Sequence, residues 1–154
     1  RQMCIRDRCN NPFWEDNMKK ISRHQMRENA FILTFEKMFN DDSVEEILNT
    51  ARECDDIEVT DQVESMFRGV VQNQDAIDSV IEPNLKKWTK DRISRVSLAI
   101  LRLGVYELMY TTDVDADIIV SECVKLATTF AHEDDVSFIN GVLGAIVRNQ
   151  AKKP

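Results

Sequence analysis

Glycine and proline are scarce in this chain, four and three among 154 residues. A sandwich or barrel needs turn residues every ten or so positions, so that poverty excludes an all-β fold. No stretch alternates cleanly between apolar and polar residues, and no sheet is assigned. Histidine is rarer still, with only His24 and His132. The four cysteines (Cys4, Cys9, Cys54, Cys123) form no C-x-x-C pair. Neither a zinc site nor a disulfide framework is indicated, and a reducing cytoplasmic setting fits. The most apolar stretch, residues 96–110, is broken by Arg102 and Glu107. Nothing reaches the roughly 20 residues a membrane span requires, and no signal-peptide core appears. A Gly-rich phosphate loop, H-E-x-x-H and G-x-S-x-G are all missing, so catalysis, a metal and a cofactor are not expected.

Apolar residues at helical spacing are what the chain does have. With 43% hydrophobic residues it can bury a real core, and the expectation is one all-α domain. A first helix is predicted over residues 22–39, apolar at Met26, Ala30, Phe31, Leu33, Phe35 and Met38. Ser43-Val44-Glu45-Glu46 is a capping box that opens a short helix to about Arg52. Thr60 or Asp61 opens the next, which breaks near Asn73. Another runs from Asp75 until Pro83 stops it. Residues 86–90 are a basic connector around Trp88. A helix over 91–110, apolar on most of its circumference, should run through the middle of the domain. Two more follow, over 117–131 and 134–149. Residues 1–17 show no period and no cap, and read as a non-native or disordered extension; 18–150 form the domain and 151–154 a short basic tail.

A net charge of −7 argues against nucleic acid until it is resolved along the chain. Residues 1–39 carry +3, residues 40–82 carry −11, residues 83–110 carry +4 and residues 111–154 carry −3. Two basic segments flank an acidic one, and if they meet in space they make a positive face. Lys20, Arg23, His24 and Arg27 fall at i, i+3, i+4 and i+7, one stripe of the first helix with no carboxylate between Lys19 and Arg27. An unpaired basic stripe in an acidic protein is the pattern that phosphate binding requires. Phe31 and Phe35 continue it, and core packing is their simplest role. Asp113-x-Asp115-x-Asp117 imitates half a calcium loop, but Ile118 and Val124 stand where its Gly and Glu belong. Helix capping explains these aspartates and also Glu133-Asp134-Asp135.

Two stretches, A-I-L-R-L-G-V-Y-E-L (from Ala99) and F-I-N-G-V-L (from Phe138), together with S-E-C-V-K-L-A-T-T-F and the early S-R-H-Q-M-R-E-N-A, resemble the NusB family over about residues 22–148. The resemblance implies a compact all-α bundle of about seven helices in two small subdomains. It implies binding, jointly with the ribosomal protein NusE, to the boxA element of nascent ribosomal RNA, with other Nus factors and RNA polymerase engaged indirectly. Membrane and small-molecule substrate have no part. The RNA-binding residues it points to are Lys20, Arg23, His24, Arg27, Asp134 and Phe138, with phosphate contacts from Lys20, Arg23 and Arg27 and base stacking at Phe138.

Gly104, Asn140 and Gly141 are expected to serve packing. Glycine inside an apolar helix costs about 1 kcal/mol of propensity, which a close backbone approach would justify. Gly141 is therefore expected to pack near residues 101–105 and to resist bulk. Asp115, Ser121 and Thr128 depart from the family's usual Pro, Asn and Lys, and Val136-Ser137 stand where polar or basic residues are common. Two other readings are the helical domain of an rRNA cytosine methyltransferase, there followed by a catalytic α/β domain, and a helical scaffold without RNA affinity.

Overall fold

Hydroxyl side chains begin four of the helices. Ser22, Ser43, Thr60 and Ser94 each accept a hydrogen bond from the backbone N–H three residues on, satisfying a donor that the first turn would otherwise leave open. The computed structural model describes residues 21–54, 57–85, 92–111 and 113–151. Among them are seven α-helices: α1 (Arg23–Lys37), α2 (Val44–Glu53), α3 (Asp61–Gln72), α4 (Gln74–Ile81), α5 (Arg95–Tyr110), α6 (Ala116–Phe130) and α7 (Glu133–Ala151), with a 3₁₀ turn at Glu82–Asn84. No strand occurs among the described residues.

The largest difference from the sequence reading is the start of α5. It begins at Arg95 behind the Ser94 cap instead of near Asp91, because the Ser94 hydroxyl accepts from Ser97 N and so fixes the first turn there. Residues 1–20 and 86–91 lie outside the described residues, and with them Lys20, the N-terminal extension and the Trp88 connector.

Two hydrophobic clusters account for two small subdomains. Leu33 of α1, Ile47, Leu48 and Ala51 of α2, and Val63 and Phe67 of α3 form the smaller one. The larger surrounds α5, which is buried from Ser97 through Val105 and packs against α1, α3, α4, α6 and α7. Each fully buried Leu or Ile of such a core contributes about 1.5–3 kcal/mol.

Glycines admit two of these contacts. A Cβ at Gly104 would lie 2.7 Å from Cys123 Sγ and 3.3 Å from Leu143 Cδ2, so this position lets α5 approach α6 and α7. Gly69, which the sequence reading passed over, receives the Tyr106 ring, whose nearest atom would be 2.4 Å from an added Cβ.

Gly141 is not such a position. It is exposed, and a Cβ there would meet nothing within 4 Å. The expectation that it packs against α5 is corrected: Ile139, Val142, Leu143 and Ile146 supply the buried face of α7, while Asn140 and Gly141 turn outward. At about 100° per residue, positions 139, 142, 143 and 146 share one face of the helix, and 140 and 141 fall on the other.

Candidate nucleic-acid interface

The first turns of α1 carry the described part of the basic stripe, and tertiary contacts divide it. Arg23 is exposed and lines an open cleft with Gln62, Met66, Tyr106 and Asp113. Arg27, four residues on, is 2% exposed. Its Nε donates to both carboxylate oxygens of Glu107 on α5, at 3.1 and 2.9 Å, and its Nη2 donates to Oε1 at 2.9 Å. Glu122 of α6 stands 3.5 Å from Nη1. The assignment of Arg27 to phosphate is therefore corrected. Its charge is already neutralised inside the protein by carboxylates 80 and 95 residues away in sequence, which local inspection of the stripe cannot reveal. Burial works against the Arg27 charge, but the hydrogen bonds and charge of Glu107 outweigh it and hold the guanidinium protonated.

His24 is half-buried between two carboxylates. Its Nε2 lies 2.8 Å from Glu28 Oε2 and its Nδ1 lies 3.3 Å from Glu122 Oε1. Lys125 also reaches Glu122, at 2.8 Å, and is well exposed. Burial raises the Glu122 pKa, but hydrogen bonds and charge from Lys125 and then His24 bring it below the usual glutamate range. Glu122 thus gathers Arg27, His24 and Lys125 and fastens the first turns of α1 to α6. Lys125 is a cation that the reading of the first helix missed; only the fold brings it beside His24.

On α7, Asp134 is exposed in the first turn, and Phe138 is partly buried against the larger core. Asp134, Phe138 and Gly141 fall at i, i+4 and i+7, so they share a stripe. A carboxylate cannot bind phosphate, but it can accept from a base amino group or a 2′-hydroxyl. α6 packs against both α1 and α7, placing itself between the two groups of candidate residues.

The remaining charges divide into an acidic region and a second basic one. Arg52 and Arg68 of the acidic region are engaged by Glu64 and Glu45. Exposed Asp41, Asp42, Glu46 and Asp61 are left on that side. Of the second basic segment, Arg102 is buried in a two-bond pair with Asp78, at 2.9 Å each. Arg95 remains exposed, its guanidinium 4.8 Å from the centre of the Phe39 ring and its Nη1 donating to Met38 O. Cations of the two basic segments, Lys37 and Arg95, come together at the end of α1 away from Arg23.

Aromatic rings line the same side of α1. Phe31 is buried, as its core role implied, stacks on Phe35 at 5.9 Å and meets Phe130 at a tilt at 4.8 Å; Phe39 meets Phe35 edge-on at 4.8 Å. Phe39 is 59% exposed and Phe130 37%, an apolar patch edged by Arg95.

No group of three or more potential metal ligands occurs among the described residues, and no helix among them is long and apolar enough to cross a membrane. Asp115 precedes α6 as its N-cap residue.

A family model described as NusB family matches residues 19–148. The transcription antitermination protein NusB of Oceanobacillus iheyensis is 37% identical over 127 residues, covering 82% of this chain and 99% of the relative. Among solved structures, T. maritima NusB superposes with a TM-score of 0.76 at 29% identity, covering 84% of this chain and 92% of the other. A crystal structure of the antitermination factors NusB and NusE in complex with double-stranded RNA gives a TM-score of 0.73 at 28% identity, covering 82% and 96%.

Proposed function

The chain belongs to the NusB family, and from that premise we propose that it is a transcription antitermination factor that binds a boxA-like segment of nascent ribosomal RNA jointly with NusE. The observation that carries this reading is the match over 99% of the length of a NusB antitermination protein, together with the likeness to a NusB bound to NusE and RNA. Its role is binding, not catalysis, and its place of action is the cytoplasm, where transcription occurs.

The RNA face in this reading centres on the α1–α6 seam. Arg23 and Lys125 supply exposed positive charge, and His24 is held by Glu28 and Glu122. Arg27 positions that seam through Glu107 and Glu122 instead of touching RNA. Lys20 is the further cation of this reading, with Phe138 its stacking candidate and Asp134 an acceptor on α7. NusE docks on the aromatic patch of Phe39 and Phe130, since exposed aromatics beside an Arg are the composition of protein interfaces.

Titrating a boxA RNA into the protein with and without NusE tests this. Joint binding tighter than either pair alone is expected, with affinity falling steeply as salt rises. Absence of RNA binding in the presence of NusE would leave the helical scaffold as the reading.

A further inference from the structure

We propose that the cleft between the end of α1, the α3–α4 junction and the start of α5 is a phosphate-binding site, separate from the RNA face around Arg23. The cleft holds about 450 Å³, enough for a phosphate or its ester. Three cations line it: Lys37 from the end of α1, and Arg95 and Arg102 two turns apart on α5.

Each cation has donors left over. Lys37 has no ion-pair or hydrogen-bond partner among the described residues. Arg95 makes only the contact with the Phe39 ring and the bond to Met38 O. Arg102 is 7% exposed and spends Nε and Nη2 on Asp78, whereas its Nη1 finds no acceptor among the described residues. Gln74 and Asp75, at the start of α4, form the facing edge of the cleft.

The opposing charge is small. Asp78 is consumed by Arg102, and Asp75 is the one other carboxylate on the lining, exposed at the second position of α4. A buried guanidinium, an ammonium and a second guanidinium around one cleft offer charged donors to the several oxygens of a phosphate. In a chain of net charge −7 such a concentration of unspent donors is not required by folding.

Inorganic phosphate titrated into the full chain at low ionic strength, with backbone amide signals followed by NMR, tests the assignment. Saturable shifts centred on Gln74, Asp75 and Arg95 are expected. The Lys37→Gln/Arg95→Gln double variant should bind at least about tenfold more weakly at an unchanged melting midpoint. If that variant does not fold, Lys37→Gln alone serves, and it should still weaken binding severalfold. Absence of a saturable shift, an unchanged affinity in the variant, or an equal response to acetate overturns the site. A boxA RNA added to the phosphate-saturated protein then separates the sources. Displacement of phosphate from the cleft identifies a backbone phosphate of RNA. Binding that leaves the cleft signals in place identifies a free phosphorylated molecule, and either result supports a phosphate site.

Discussion

Arg27 and Glu107, 80 residues apart and each 2% exposed at the side chain, form a two-pronged ion pair that joins the first helix to the central one. A buried pair of this kind contributes little net stability over apolar residues of the same shape, but losing one partner strands the other's charge away from water. Arg27→Ala is therefore expected to cost about 3–5 kcal/mol in denaturant unfolding. Arg23→Ala should leave the midpoint unchanged and weaken RNA binding. Equal stability losses for the two variants would show that the stripe is not divided as described.

Gly104→Ala places a Cβ 2.7 Å from Cys123 Sγ, and either helix or sulfur must shift. A loss of about 1–3 kcal/mol is expected. Gly141→Ala meets nothing and gains helix propensity, so it should be neutral or stabilising by up to about 1 kcal/mol. Chemical unfolding of both variants measures the contrast. If Gly141→Leu folds normally yet no longer forms the RNA or NusE complex, the exposed N-G step of α7 is a docking surface.

Glu122 titrates below the ordinary glutamate range in the folded protein, as do Glu45 and Glu64 beside Arg68. A depressed folded pKa means that its contribution is present above the unfolded value, about 4.3, and is lost as the pH falls through the lower folded value. The melting midpoint should fall with acid over that window. In Glu122→Gln the dependence should be shallower, the variant being less stable at neutral pH and closing the gap on acidification. Parallel curves for the two proteins would remove Glu122 from the acid response.

Phe39→Ala should leave the melting midpoint within a degree or two of the parent, because the ring is 59% exposed. NusE binding should weaken by about 1 kcal/mol or more if the ring is a docking anchor. Calorimetry with NusE alone, without RNA, measures it. An unchanged affinity would place the partner elsewhere.

Cys123 is fully buried, and desolvation pushes its thiol far above the ordinary range. Alkylation under native conditions should label exposed Cys54 and spare Cys123, with Cys123 reacting only on unfolding. Peptide mapping after a timed pulse reads the difference; rapid native labelling of Cys123 would mean that α6 opens locally.

Helix content and most helix boundaries were legible in the chain, because caps and apolar periods act within a few residues. Ser22, Ser43 and Thr60 fix their helices through bonds to N–H groups three positions away. Residues 96–105 announce a central helix by being apolar nearly all round. The basic stripe on the first helix was legible too, as spacing. What no local pattern contains is which of its members remain charged toward solvent. Arg27 looks like Arg23 in sequence, and only folding places Glu107 and Glu122 against it. Gly104 and Gly141 are equally small, yet only packing distinguishes a glycine that meets Cys123 and Leu143 from one that meets open space. Propensity and capping depend on nearest neighbours along the chain and are written there. Burial and charge neutralisation depend on neighbours tens of residues away, so the tertiary structure alone decided them.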